Sequence, residues 1–165
     1  TGTLLLLAAQ AAPEALLVGV DIDDRIVERA RRKIAIAGLP IRLERASATE
    51  LPYGDGSFER VLSTLAFHHL TRDEKARAFA EAHRVLRPGG ELHLGDFGAP
   101  DTRYSRVASY LTEKIGGEHV QENYGGLLPA MARDAGFVSV EETGRFGTIF
   151  GVLRSFRAAK PSFVS

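Results

Sequence analysis

The sequence contains no cysteine among its 165 residues, which excludes a disulfide framework and a metal site built from thiolates. Lys plus Arg and Asp plus Glu are equal at 21 each, so no net charge favours nucleic acid or an anionic membrane as a partner. No apolar run approaches the roughly 20 residues that span a bilayer, and no basic segment precedes Leu4–Leu7 as in a signal peptide. These absences predict a soluble, cytoplasmic protein with no nucleic-acid or membrane partner.

Hydrophobic residues follow helical and strand patterns in alternation along the chain. Helices are predicted at Leu4–Ala12, from Asp23 or Asp24 to Gly38, from Thr71 to about Leu86, at Tyr104–Ile115 and at Leu127–Ala135. Strands are predicted at Leu16–Val20, Ile41–Leu43, Val61–Ser63, Glu91–Phe97, Val138–Glu142 and Thr148–Arg157. Because helices that alternate with strands are typical of parallel sheets, we predict one α/β domain over residues 1–165 with a doubly wound, mainly parallel sheet.

The last two predicted strands have no helix between them. Only Gly144–Gly147 separates them, so we expect an antiparallel hairpin at one edge of the sheet, with the turn in that segment.

Gly2 and Asp21 are the first candidates for a ligand site, since ligands bind beyond the carboxyl ends of strands in open α/β sheets. Gly2 precedes the first helix, whose backbone N–H groups and dipole face a ligand placed there. Asp21 ends a predicted strand 19 positions later, where a carboxylate can accept both hydroxyls of a ribose. A plain turn and a helix cap are the alternative interpretations, but the two residues together predict a ligand that contains ribose.

Four segments of the chain resemble the class I S-adenosylmethionine-dependent methyltransferases, the group that includes the ubiquinone and menaquinone biosynthesis methyltransferases. The segments are "TGT" at the start, "VGVDID", "ELPYGDGSFERVLSTLAFHHL" and "EAHRVLRPGGELHLGDF". The first resembles the tail of the family's glycine-rich loop, and the last resembles its "RVLKPGG" helix end with the strand that follows. Together they imply a Rossmann-like fold whose first strand and leading glycines are missing before Thr1. In the complete fold the helix at Leu4–Leu7 is expected to be buried on more than one side, whereas a sheet that lacks its central first strand leaves these leucines poorly covered.

The resemblance implies S-adenosyl-L-methionine as the cofactor and S-adenosyl-L-homocysteine as the product. It implies these cofactor contacts: Thr1 and Gly2 near the methionine part, Asp21 on the ribose hydroxyls, Ile22 on the adenine ring, Ser47 and Ala48 along the adenine edge, and Thr64 and Leu65 beneath the cofactor. Many relatives carry Asp where Ser47 stands, and serine is shorter and uncharged. Asp21, Asp23 and Asp24 form an acidic cluster that ribose binding and helix capping explain without a metal ion.

The implied reaction is the in-line transfer of a methyl group to an O, C or N atom of a small-molecule acceptor. Alignment of the reactants and exclusion of water are the protein's main tasks, and a base helps where the acceptor is a phenol or an acidic carbon. His68 and His69 follow the predicted strand Val61–Ser63 and are the candidate catalytic residues, with His69 favoured. Since neighbouring side chains diverge, we expect at most one of them to face the acceptor.

Four other residues are candidates for an acceptor pocket, namely His119, Tyr104, Tyr110 and Tyr124, with ordinary core packing the alternative for each tyrosine. His83 and His93 are expected to be structural.

Two other functions remain open at the level of sequence. A glycine turn followed by an acidic residue also fits a Rossmann-type, NAD-binding oxidoreductase, although no Tyr-x-x-x-Lys pair is present. A non-catalytic member of the methyltransferase fold is the other alternative.

Overall fold

The computed structural model describes residues 1–98, 127–148 and 151–162, and their contacts divide the chain into two compact units. Thr1–Pro52 forms the first unit and Tyr53–Ser165 the second. The single domain over residues 1–165 stays a prediction. The predicted helix at Tyr104–Ile115 and the pocket candidates Tyr104, Tyr110, His119 and Tyr124 lie outside the described residues.

The first unit pairs two helices with a short parallel sheet. Its elements are α1 (Thr3–Ala11), β1 (Val18–Asp21), α2 (Asp24–Ala37) and β2 (Arg42–Arg45), with β1 and β2 parallel. The α2 helix begins where predicted because the Asp23 carboxylate accepts the Arg25 N–H at 2.8 Å, a side-chain N-cap. It ends at Gly38, whose φ of 65° is the left-handed stop that glycine favours.

The leucines of α1 are incompletely buried. Leu4 to Leu6 are half-buried and Leu7 is 57% exposed, in agreement with the expectation that a sheet without its central strand leaves these leucines poorly covered. Leu5 packs against Gly19 of β1, where the absence of a side chain admits it. Among the described residues this sheet has only two strands, and two strands cover one part of the helix surface.

The second unit carries a larger, mixed sheet. Its elements are β3 (Phe58–Thr64), a short 3₁₀ helix (Phe67–His69), α3 (Arg72–Val85), β4 (Leu86–Gly98), α4 (Leu127–Asp134), β5 (Val138–Thr148) and β6 (Gly151–Ala159). The strand order is β3-β4-β6-β5, with β3 and β4 parallel and β6 antiparallel to both of its neighbours. The predicted antiparallel pair at one edge is therefore confirmed.

The turn of that hairpin lies later in the chain than predicted. Gly144–Gly147 is part of β5, which continues to Thr148, and Thr148 pairs with Gly151 at the start of β6. The register shifts between Glu142 and Gly144, so Gly144 marks a bulge inside the strand instead of a turn.

The hydrophobic core of the second unit lies between α3, α4 and one face of the sheet. Phe79 and Leu86 are fully buried there, and Leu92 and Leu94 bring alternate positions of β4 into the same core. The helix α3 begins after Thr71, where a capping box forms because Thr71 and Glu74 each bond the other's backbone N–H. At the other end, the Lys160 Nζ donates to the carbonyl oxygens of His83 and Leu86 at 2.8 Å each, which anchors the last turn of α3 to the end of β6.

His83 lies beside this junction in a largely apolar setting. Its ring meets Phe137 edge-on at 5.1 Å between centroids, and its Nε2 atom is buried with no hydrogen-bond partner among the described residues. Burial, and then the neighbouring Lys160 ammonium, lower the pKa of His83. Its structural role is consistent with the prediction from sequence.

The lowered pKa of His83 predicts a loss of stability in mild acid. As the pH falls below the usual pKa of histidine, His83 binds a proton in the unfolded chain more readily than in the folded chain. The contribution of the neutral ring to the free energy of unfolding is therefore complete above that pKa and is lost as the pH falls. We expect His83→Gln to lose less stability than the parent chain between pH 7 and pH 5. Urea unfolding across this range measures the difference, with His93→Gln as the control on the half-buried face of β4. Parallel profiles for the parent and the His83 variant would contradict the prediction.

Candidate active site

Gly2 has the backbone that a close cofactor approach requires. Its φ is 80°, and it stands at the N-cap of α1 with no side chain to bond the helix N–H groups. A Cβ atom at this position would lie 3.0 Å from the Cβ of Ala30 and 3.1 Å from its Cα, so a larger residue does not fit. The Lys33 Nζ donates to the Thr3 Oγ1 at 3.2 Å, which adds a positive charge at this helix N-terminus. Uncapped N–H groups, the helix dipole and an ammonium together suit a carboxylate.

Asp21 ends β1 with half of its carboxylate engaged. Oδ1 accepts the Asp23 N–H at 3.0 Å, and Oδ2 has no hydrogen-bond partner among the described residues. Ile22 follows with 65% of its surface exposed. A free carboxylate oxygen beside an exposed apolar side chain fits a ribose attached to a flat base.

Ser47 and Ala48 lie in a turn after β2, in the same unit. The Ser47 Oγ accepts the Thr49 N–H at 3.2 Å and shares a hydrogen bond with the Thr49 Oγ1 at 2.8 Å. This hydroxyl is therefore already committed to its own turn, which weakens it as an acceptor for adenine. Ala48 is exposed, and its N–H donates to no atom of the described residues, so it is free to serve a ligand.

Thr64 and Leu65 end β3 in the second unit, and both are exposed. Leu65 has a φ of 53°, a left-handed conformation that is uncommon for any residue with a branched side chain. Its N–H donates to the Gly95 carbonyl at 2.8 Å, which fixes the turn to β4. Strained backbone of this kind persists where the surrounding structure over-determines it, and it is frequent at functional sites.

A buried carboxylate organises the turn that carries the two candidate catalytic histidines. Asp96 of β4 is completely buried, and its Oδ2 accepts the N–H groups of Phe67 at 2.8 Å, Ala66 at 3.1 Å and His68 at 3.4 Å. Its Oδ1 accepts the Phe97 N–H at 2.8 Å and lies 2.8 Å from the His68 Nδ1. These hydrogen bonds offset the cost of burying the polar side chain of Asp96.

His68 and His69 do not diverge, contrary to the expectation from sequence. Their ring centroids are 3.9 Å apart within the tight 3₁₀ turn, so both rings lie on the same side. The His68 side chain is 11% exposed, whereas His69 is exposed. Burial and the neighbouring His68 lower the pKa of His69, and Asp96 opposes this shift in part.

Sequence reasoning missed Asp96, although the pattern of its strand contained the signal. In "ELHLGDF", Leu92 and Leu94 alternate with less buried residues, and Asp96 falls two positions further on the same buried face. A carboxylate at a core position of a strand requires donors, and the backbone of the following turn supplies them.

Among the described residues, no group of three or more His, Asp or Glu side chains is arranged to hold a metal ion. In the same ranges, no helix combines the length and the apolar character needed to cross a bilayer.

These features match a known family. The family described as "Methyltransferase domain" matches residues 1–90, and the chain belongs to this family. The resemblance to class I S-adenosylmethionine-dependent methyltransferases is confirmed, and the NAD-binding alternative is not favoured.

Named relatives support the same class. The chain is 39% identical over 128 residues to a demethylmenaquinone methyltransferase of Thermus thermophilus, with 78% of this chain and 56% of the relative covered. It is 40% identical over 88 residues to a 27-O-demethylrifamycin SV methyltransferase of Amycolatopsis mediterranei, with 52% and 32% covered. The chain thus spans roughly half or less of the length of these relatives.

Solved structures share the fold. The YcgJ protein of Bacillus subtilis has a TM-score of 0.76 at 18% identity, with 94% of this chain and 87% of that one covered. An S-adenosylmethionine-dependent methyltransferase of Methanosarcina mazei has a TM-score of 0.73 at 19% identity, with 96% and 87% covered. The predicted Rossmann-like α/β fold with a mainly parallel sheet and added antiparallel strands is confirmed.

Proposed function

We propose that the protein transfers a methyl group from S-adenosylmethionine to a small-molecule acceptor. The observation that supports this most directly is Asp21, which ends β1 with one carboxylate oxygen unengaged by the described residues, inside the segment that matches the methyltransferase family. A ribose diol is the ligand that such a carboxylate suits best.

The cofactor-binding roles are assigned to residues whose local geometry fits them. Gly2 and the N-terminus of α1 receive the methionine carboxylate, with Thr1 beside them, and Asp21 accepts the ribose hydroxyls. Ile22 packs on the adenine, and the Ala48 N–H donates to its edge, whereas Ser47 contributes through its backbone because its hydroxyl is engaged by Thr49. Thr64 and Leu65 stay proposed cofactor contacts, supported by the motif resemblance and their exposure after β3.

The histidine pair is the proposed base that takes the acceptor's proton. When bound, S-adenosylmethionine supplies a methyl group on a positively charged sulfur, whose bond to the methyl carbon breaks as the acceptor atom attacks in line. The chain's own task is to orient the acceptor, exclude water and take the acceptor's proton. His68 and His69 place two imidazole rings on one short turn for that purpose.

Acceptors named for the relatives guide the choice of substrate. The Thermus thermophilus relative is named for demethylmenaquinone and the Amycolatopsis mediterranei relative for 27-O-demethylrifamycin SV. We propose an organic acceptor of similar kind that carries an ionisable hydroxyl or an acidic carbon. With equal numbers of basic and acidic residues, the chain is proposed to act in the cytoplasm on a free small molecule, and not on nucleic acid or at a membrane.

Calorimetry and a transfer assay together test the function. Titration with S-adenosylhomocysteine is expected to show one site per chain, whereas NAD is expected not to bind. With methyl-labelled S-adenosylmethionine, label is expected to reach reduced demethylmenaquinone or 27-O-demethylrifamycin SV. Binding of NAD alone would overturn the proposal, and cofactor binding without transfer to any acceptor of a broad panel would favour the non-catalytic alternative.

A further inference from the structure

We propose that Asp96 is a positioning residue that makes His68, and not His69, the proton acceptor of the reaction. The inference rests on the proposed methyl transfer and specifies how its proton is taken. It assigns one carboxylate two tasks, which are to hold the turn after β3 and to select the tautomer of His68.

The contacts of Asp96 determine where the His68 proton lies. Oδ1 and Oδ2 together meet four backbone N–H groups, from Ala66, Phe67, His68 and Phe97, so the carboxylate acts only as an acceptor. Because both oxygens already accept backbone N–H groups, Oδ1 meets the His68 ring as an acceptor. The His68 Nδ1, 2.8 Å from Oδ1, therefore carries a hydrogen and donates it. In the neutral ring this leaves the lone pair on Nε2.

That tautomer is the one a general base requires. The Nε2 lone pair takes the proton as the acceptor's O–H or C–H bond breaks, and the electrons of that bond move to the attacking atom. The proton remains on Nε2, and the charge formed on the imidazole lies against the Asp96 carboxylate. Histidine bases in hydrolases are oriented by a buried carboxylate through the same pair of atoms.

His69 is less suited to this role. It has no hydrogen bond to Asp96, and its partial burial beside His68 makes its ring harder to protonate. Its ring lies against His68 at 3.9 Å between centroids, while Phe97 meets His68 edge-on at 5.1 Å. His69 and Phe97 thus contact the ring of His68 and limit its movement away from the hydrogen bond with Asp96.

The same carboxylate holds the strained turn at Leu65. Leu65 adopts a positive φ, and the next three residues direct their N–H groups at the Asp96 Oδ2. Loss of the negative charge therefore affects the path of the backbone as well as the tautomer of His68. Asparagine keeps the shape of Asp96 and one acceptor oxygen. In Asp96→Asn the amide oxygen continues to accept from the turn, while the amide N–H₂ faces His68 and the Phe97 N–H loses its acceptor.

The decisive measurement is the tautomer of His68 by nitrogen NMR on the full chain labelled in histidine, with His68→Asn used to assign the signals. In the parent chain we expect a protonated Nδ1 and an unprotonated Nε2 in the neutral ring, and in Asp96→Asn the reverse. A protonated Nε2 in the parent chain overturns the proposal. This readout needs no turnover, so it is independent of whether the proposed function is correct.

Kinetics test the consequence, with reduced demethylmenaquinone as the acceptor. Asp96→Asn is expected to lower kcat about 100-fold and to change its pH profile, while the dissociation constant of S-adenosylhomocysteine stays within about threefold. Glu91→Gln is the matched control, since Glu91 of the same strand also bonds a histidine, His93, at 3.2 Å, and should change kcat less than twofold. An unchanged kcat and pH profile in Asp96→Asn would overturn the proposal. Absence of transfer by the parent chain would instead count against the proposed function, and the NMR result would then decide the positioning role.

Discussion

Replacement of Asp21 by alanine is expected to weaken the binding of S-adenosylhomocysteine about 100-fold. The carboxylate is the proposed acceptor for both ribose hydroxyls, and a hydrogen bond to a charged group contributes about 1.5–3 kcal/mol. Loss of roughly 3 kcal/mol corresponds to a factor of about 100 in the dissociation constant. Isothermal titration at fixed ionic strength measures the change.

Asp24→Ala is the matched control for this substitution. Asp24 lies three residues away, is 71% exposed on its side chain and pairs only loosely with Arg45 at 3.4 Å. Because exposed ion pairs contribute little, its removal is expected to change the dissociation constant less than twofold. Equal weakening in both variants would mean that the effect is one of general charge, and the ribose role of Asp21 would then be wrong.

The second large effect concerns the core beneath the histidine turn. Phe79 is completely buried on α3, and its ring lies 4.7 Å from that of Phe67, the first residue of the 3₁₀ helix. Phe79→Ala is expected to lower the free energy of unfolding by about 3–5 kcal/mol, since it removes a large apolar side chain and leaves a cavity. That is a large part of the 5–15 kcal/mol that usually separates folded from unfolded domains.

Chemical denaturation measures the free energy of unfolding of Phe79→Ala and of the control variant Arg77→Ala. Arg77 is exposed on the same helix, so its truncation should change the free energy of unfolding by less than about 0.5 kcal/mol. A loss below about 1 kcal/mol for Phe79→Ala would show that the site collapses around the smaller side chain. It would also show that the contact between Phe79 and Phe67 contributes little to the free energy of unfolding.

The elements with strong local signals could be predicted from the sequence. Asp23 before an amphipathic stretch and Gly38 after it bound α2, and the Thr71–Glu74 capping box begins α3. These signals act through hydrogen bonds within one turn, so they need no knowledge of the remaining chain. The hairpin turn was misplaced because glycine is typical both of turns and of bulges, and only the partner strand distinguishes them.

In the candidate site, too, some features follow from local sequence signals and others depend on contacts between distant residues. The positions of Gly2 at a helix start and of Asp21 at a strand end could be predicted from local patterns, and their cofactor contacts stay predictions. The link between Asp96 and His68 joins residues 28 positions apart in sequence, and it depends on the parallel pairing of β3 with β4. The contact of the two histidine rings depends on side-chain rotamers, which the sequence pattern does not specify.

The bulge at Gly144 also bears on how the chain behaves at high concentration. β5 is the edge strand of its sheet among the described residues, and two register shifts interrupt its pairing with β6. Glu141, Glu142 and Arg145 place charges of both signs along it. Regular, uncharged edges invite pairing with a strand of another molecule, and kinks and charges work against it. The bulge at Gly144, where the sequence predicted a turn, is therefore also expected to oppose edge-to-edge aggregation.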